Sequence, residues 1–473
     1  MVCHTMTFPV NLSKIKTWKK ETLDSKSKSF CGAKWYNSTI WLWRGWTASC
    51  HHNPPHQIDQ EEIVQTPSAL HNTAKKINER AMMQRGEKPL DCQYCWAIEN
   101  IDPDMLADRV WYSKSITNKN LQLAFENPPE THTNPTYLEL GFDSTCNLAC
   151  SYCCPDISSS WMRDIKQHGV YQNIITDQRE HYTRAGSHGD NYSYGETNPY
   201  TEAFFKWWET DLHRSVKKIH ITGGEPLMSG HFWKFLDWFE QNPNESRASV
   251  SIQTNLAYDS DTLNKFLNKI SKTKSSFAIS TSMESVESKA EYVRDGLNWD
   301  QWCKNIKMLT ENKRINRVEI FSTISAVSLN GFVEFLTWLV EQKKQLGKSY
   351  FDLYISYVRW PTFQNVMVLP AEIKKQHSNE LQHFVNNNQQ WFSTKELNFI
   401  NRLILYLVEV QSPHHGSISS NGTVDFVDQQ FVHDTLLMQK DFKSFFSQYD
   451  QRRNKNFTAT FSNLKEWYDS IQV

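Results

Sequence analysis

"TYLELGFDSTCNLACSYCC", residues 136 to 154, sets a short strand-like run directly ahead of four of the chain's ten cysteines. In parallel α/β sheets, ligands bind where strands end, so this junction is where chemistry is expected. Cys146, Cys150 and Cys153 are spaced C-x3-C-x2-C, with Tyr152 just before the last. Three thiolates so spaced can wrap one small inorganic cluster from a single loop. An iron-sulfur cubane normally takes four cysteines, so a three-cysteine loop leaves one iron open to chemistry. Zinc is the alternative, because Cys150/Cys153 and Cys92/Cys95 are both C-x2-C pairs and together could make a four-cysteine ribbon. Cys154, followed at once by Pro155, reads as a spare thiol, with a redox or substrate-facing role as the alternative.

Outward from this stretch the pattern is regular. Candidate strands at 136–142, 216–222, 248–254, 275–282, 317–325 and 350–358 alternate with helix-period segments. Over 331–345, Phe332, Phe335, Leu336, Leu339 and Val340 make one apolar face, and over 231–240 Phe232, Phe235, Leu236 and Phe239 make another. Six such alternations predict a parallel α/β sheet with right-handed crossovers, either a partial barrel or an open doubly wound sheet. Three domains are expected: 1–130, irregular and metal-supported; 131–360, the α/β unit; and 361–473, a mainly helical extension that caps the sheet. Residues 165–200 read as an inserted loop, and that loop and the tail are candidate lids over a site.

The 473 residues carry 51 Lys plus Arg against 52 Asp plus Glu, so no global field draws the chain to nucleic acid or membrane. No apolar run approaches a membrane span and the start lacks a secretory h-region, so a cytoplasmic chain is expected. In a reducing compartment clustered cysteines are metal ligands or catalysts before they are disulfides.

Other unusual residues fall at the same strand ends. Gly223, Gly224 and Glu225 follow the second strand, the glycines letting backbone approach a ligand and Glu225 offering a carboxylate to a cation. Asn255 follows the third, where a helix N-cap explains it equally well; Ser282 ends the fourth, and Arg294 lies downstream. C-x3-C-x-aromatic-C after strand one, with Gly-Gly-Glu-Pro after strand two, resembles the radical S-adenosylmethionine (SAM) enzymes. That resemblance implies a partial (β/α)6 TIM-type barrel. It makes Cys146, Cys150 and Cys153 the ligands of a [4Fe-4S] cluster whose open iron chelates SAM. Glu225 with the backbone of Gly223 and Gly224 then receives the methionine ammonium, and Ser282 and Arg294 contact ribose and carboxylate, with Tyr152 and Asn255 lining the same site. The implied activity is reductive cleavage of SAM to a 5'-deoxyadenosyl radical that abstracts hydrogen from a substrate, with flavodoxin or ferredoxin as electron donor.

Cys31, Cys50, Cys92 and Cys95 give four further thiols, enough for a closed site. They are similar to the twitch module, a short relative of the SPASM domain, here at the N-terminus, which implies an auxiliary [4Fe-4S] cluster. Structural zinc is the alternative. His51, His52 or His56 could replace a cysteine, while Cys3 and Cys303 are expected to be unliganded. An auxiliary cluster suits oxidative modification or cross-linking of a peptide or protein. Two alternatives remain. One is radical modification of a nucleotide or nucleic-acid base, since N-terminal-twitch proteins also resemble ones found in phage genomes, with Lys14, Lys16, Lys19 and Lys20, Trp18 and "WLWRGW" at 41–46 to serve phosphates and bases; a solvated face and a buried strand explain those two features more simply. The other is a zinc-stapled binding module without chemistry.

Overall fold

The computed structural model describes residues 12–101, 105–177, 179–186, 192, 195–315, 317–409 and 435–472; Cys3 lies outside them. Its strands are β1 (Asn37–Trp41), β2 (Trp46–Ala48), β3 (His56–Gln57), β4 (Tyr137–Gly141), β5 (Ala149–Cys150), β6 (Lys218–Thr222), β7 (Ser249–Thr254), β8 (Phe277–Ser282), β9 (Arg294–Asp295), β10 (Val318–Ile324) and β11 (Phe351–Tyr357). Nine of them form one sheet in the order β11-β10-β8-β7-β6-β4-β1-β2-β3. Every pairing from β11 to β1 is parallel, and in this sheet only the β1–β2 and β2–β3 pairings are antiparallel. All six expected strands are present. Their order runs one way along the chain with no reversal, unlike a doubly wound sheet, in which the order switches direction.

The strands alternate in character. Leu138, Leu140, Ile219, Ile221, Val250 and Ile252 are buried on one face and share a core with Phe232, Phe235, Leu236 and Phe239 of the helix Gly230–Gln241. On the other face Glu139, His220 and Ser251 stand side by side in register. A parallel sheet covered by apolar helices on both faces would read as continuous apolar runs, so this second face is built for polar contents.

The N-terminal stretch is not irregular. It carries helices including Ala74–Gln84, Gln93–Ile101, Asp108–Lys114 and Asn118–Glu126, and its first strand extends the main sheet by pairing with β4. These helices are 7 to 11 residues long, and several of their buried positions are charged. Arg109 pairs with Glu99 at 2.8 Å and Asp24 at 2.7 Å, and Lys34 pairs with Glu79. Ion pairs turned inward erase the apolar period that marks a helix in a sequence. A separate core of Leu23, Phe30, Met83, Trp96, Val110 and Leu121 lies under them, whereas Ile40, Leu42, Ile58 and Leu70 join the main core.

In the tail, the helix Thr394–Glu409 packs on β11, and the helix Thr435–Arg453 packs beside the main core through Phe442, Phe445, Phe446 and Tyr449. No helix among the described residues is long and apolar enough to cross a membrane.

Candidate iron-sulfur and cofactor site

The loop from Asp143 to Cys154 leaves the end of β4 and is held from several directions. Backbone carbonyls removed from water must find donors. Here the donors come from distant side chains. Ser160 Oγ donates to Cys146 O at 2.7 Å, Ser158 Oγ to Leu148 O at 3.0 Å, and Trp161 Nε1 to Cys150 O at 2.9 Å. Tyr182 OH donates across Ser151 O at 2.6 Å and Cys153 O at 2.7 Å, Gln364 Nε2 reaches Ser151 O at 2.8 Å, and Tyr449 OH reaches Ala149 O at 3.3 Å. The inserted loop and the tail, expected as lids, therefore supply Tyr182 and Tyr449 as braces of the cysteine loop. Neither tyrosine stood out in the sequence, because a lone Tyr in a polar stretch carries no pattern.

The glycines after β6 serve this loop as well. A Cβ at Gly224 would stand 2.3 Å from Thr145 O, and one at Gly223, whose φ is +120°, would stand 2.6 Å from Asp143 O. The close approach these glycines permit is to the cysteine loop's backbone: Gly224 N donates to Asp143 O at 3.1 Å and Glu225 N to Thr145 O at 2.6 Å.

Glu225, 1 % exposed, accepts from Asn255 N at 2.6 Å, Thr254 Oγ1 at 2.7 Å and Leu227 N at 3.2 Å. Burial pushes its carboxyl up to about 7, against those three donors. Asn255 is no helix cap; Asp259 caps the helix Ser260–Ser271. Asn255 Nδ2 instead donates to Asn147 Oδ1 at 2.8 Å and lies 3.9 Å from Cys146 Sγ. Ser282 Oγ accepts from Gln253 Nε2 at 2.9 Å at the neighbouring strand ends. Arg294 sits in β9, which pairs antiparallel with β5 so that Arg294 stands opposite Cys150. Its guanidinium is bound to Glu284, with Nη1 3.9 Å from Cys150 Sγ.

Cys146, Cys150, Cys153 and Cys154 are half-buried. Burial pushes all four thiols up, Cys146 and Cys154 to about 12. Thiolates in such a place need a cation, which suits metal ligands and not free nucleophiles.

In the N-terminal stretch Cys31, Cys50, Cys92 and Cys95 line one cavity with Lys34, His52 and Asp108. Cys92 and Cys95 are thus grouped with Cys31 and Cys50, not with Cys150 and Cys153 as the zinc-ribbon alternative required. Burial raises Cys31 to about 12, with Cys92 and Cys50 adding to it, and Cys92 to about 11, against the pull of Lys34. A tetrahedral zinc at about 2.3 Å from each ligand holds its sulfurs about 3.8 Å apart. Among the described residues no three cysteine sulfurs come within 4.8 Å of one another; only His51, His52 and Asp108 form so tight a group. His52 bonds to Asp108 and stacks on Tyr94 at 3.5 Å, and His51 Nδ1 meets Tyr112 OH at 2.8 Å. His56 is bonded to Thr73 Oγ1 at 2.9 Å, and Cys303 is half-buried on the helix Trp299–Glu311.

Of the features expected to serve nucleic acid, some are used within the fold and some are exposed. Lys19 is buried against Asp24 at 3.1 Å, and Lys114 lies over the Trp18 ring at 4.6 Å. The run at 41–46 is the turn from β1 to β2, with Leu42 and Trp43 in the interior; Lys14, Lys16 and Lys20 are exposed.

No protein-family model and no curated protein matches this chain. Several solved structures do. The chain is similar to SuiB of Streptococcus suis bound to S-adenosylmethionine, at TM-score 0.33 and 12% identity over 75% of this chain and 68% of that one. It is similar to SuiB bound to its precursor peptide SuiA, at TM-score 0.35 and 12% identity over 75% and 70%, and to anSMEcpe with bound AdoMet, at 0.30 and 15% over 53% and 62%. At such scores a likeness carries no argument, and function rests on this chain's own residues.

Proposed function

We propose that the chain is a radical SAM enzyme built on a partial barrel, with residues 131–360 as its core, 1–130 as an auxiliary-cluster module and 361–473 as a cap. The supporting observation is the convergence at one sheet edge. The loops after β4, β6, β7 and β8 interlock there, joining Cys146 and Asn147 to Asn255, Asn255 to Glu225, and Cys150 to Arg294. The unreversed strand order and the polar sheet face support the barrel, whose inner face would hold polar substrate.

The donor set fits a [4Fe-4S] cluster. Three half-buried thiols, each pushed up by burial, wait for a cation, and their sulfurs do not all lie within 4.8 Å of one another as the ligands of one zinc ion would. Cys146, Cys150 and Cys153 would hold the cluster, which when bound supplies the electron that cleaves SAM reductively. Glu225 would receive the methionine ammonium; burial pushes its carboxyl up to about 7, so a cation beside it would favour the charged form. Ser282 and Gln253 offer hydroxyl and amide to the ribose, and the braces on the loop carbonyls hold the thiols still.

The N-terminal quartet fits a second cluster. With it the proposed reaction is oxidative modification or cross-linking of a peptide or protein. Lys19 and Trp18 are engaged within the fold, which leaves the nucleic-acid alternative only the exposed Lys14, Lys16 and Lys20 of that cluster.

Anaerobically reconstituted protein should hold roughly eight irons, two cubanes, and under dithionite release methionine and 5'-deoxyadenosine from SAM. Cys150→Ala should abolish that release and halve the iron. Cleavage surviving in Cys150→Ala would sink the assignment. Deuterium from a labelled peptide pool, and not from nucleic acid, should appear in 5'-deoxyadenosine.

A further inference from the structure

We propose that Glu284 is the positioning residue of the Cys150 corner, and that its charge sets how readily the bound cluster is reduced. The inference rests on the reading of Cys146, Cys150 and Cys153 as cluster ligands and extends it to a residue outside that ligand set. Glu284 lies two positions past β8 and is 0 % exposed. Its Oε1 accepts from Tyr152 OH at 3.1 Å and its Oε2 from Arg294 Nη2 at 2.5 Å.

One of those side chains, Arg294, approaches the Cys150 sulfur, and the other packs beside Arg294. Tyr152 sits between Cys150 and Cys153 in the chain, and the Arg294 guanidinium stands 5.8 Å from the centre of its ring. The Arg294 backbone pairs with Cys150, and its Nη1 points a donor at Cys150 Sγ from 3.9 Å. One carboxylate thus fixes both partners of the same corner. The arrangement also narrows the role of Arg294. With Nη2 on Glu284 and Nη1 at Cys150, only Nε lacks a hydrogen bond among the described residues.

The physical consequence concerns charge. Reduction adds a negative charge to a cluster whose sulfurs share it, so a bare guanidinium at that distance in a dry site would favour the reduced form strongly. Glu284 cancels most of that field while leaving the N–H donor in place. An arginine without its carboxylate would be an uncompensated buried charge.

The test is a redox titration of reconstituted full-length protein, followed by the paramagnetic signal of the reduced cluster, with iron content and thermal midpoint measured alongside. Glu284→Gln keeps the shape and the acceptor for Tyr152 but removes the charge. Its midpoint potential should move to less negative values with iron content unchanged, and Glu284→Asp should move it back toward the parent. The double variant Glu284→Gln/Arg294→Gln, neutral at both positions, should return to the parent potential. A Glu284→Gln protein with full iron and the parent potential would overturn the inference, as would a double variant that tracks the single one. Should Glu284→Gln fail to hold iron at all, recovery of iron by the double variant supports charge cancellation, and continued loss refutes it. A parent protein with no reducible cluster would instead defeat the proposed function, so the two failures are distinguishable.

Discussion

Glu225 combines a buried carboxyl with a site that calls for its charge. Burial pushes its carboxyl up to about 7, above the ordinary glutamate value of about 4.5, so the folded state binds the proton more tightly than the unfolded chain does. Stability of the metal-free protein is therefore greatest below about pH 4.5, falls as pH rises toward 7, and is flat beyond, a span on the order of 3 kcal/mol from this group. Glu225→Gln should flatten that slope in denaturant titrations across pH 5 to 7; an unchanged slope would mean the proton sits elsewhere. At this scale the sequence is legible in what it brings together, the Gly-Gly-Glu turn lying against the cysteine loop, although the close approach of Gly223 and Gly224 is to that loop's backbone. Glu284 escapes notice, because a carboxylate past a strand end becomes meaningful only when Tyr152 and Arg294 are seen to share it.

Among the elements, the cysteine loop is short and without regular structure beyond β5, so its shape comes from its neighbours. Tyr449 shows how far away those neighbours are in the chain. It reaches back to Ala149 O at 3.3 Å and Tyr292 O at 3.1 Å. Tyr449→Phe removes only those bonds and should cost about 1 kcal/mol in the thermal or denaturant midpoint. Cluster occupancy should fall with it if the brace helps shape the loop; unchanged occupancy would make the tyrosine a packing residue alone. Strands β4, β6 and β7 and the helices at 230–241 and 332–346 are legible because each buries one face, and β8, β10 and β11, buried on both faces, because they are short runs rich in β-branched and aromatic residues. The N-terminal helices are not, because Arg109, Lys34, Glu79 and Glu99 point inward as satisfied pairs and mimic solvated faces.

Across the whole molecule two cores are tied together by the sheet, since β1 belongs to the N-terminal stretch yet pairs with β4, the strand that launches the cysteine loop. The two thiol sets are thus separate sites on one frame. Cys92→Ala should lower iron by roughly half and leave SAM cleavage without substrate intact, while turnover of substrate is lost. Loss of SAM cleavage in that variant would show that the cysteines had been grouped wrongly. The parallel unit is legible from alternating strands and helices, but its continuation into β1 is not, because "NSTIW" is short and mostly polar.

That shared strand gives the N-terminal cavity two unlike sides. Cys31 precedes and Cys50 follows the β1–β2 hairpin, whereas Cys92 ends the short turn Leu90–Cys92 that leads into the helix Gln93–Ile101, which carries Cys95. The four thiols are thus carried by two different kinds of element, a strand ladder tied to the main sheet and a helix packed in the N-terminal core, so substitutions in either one would disturb the cavity from opposite sides.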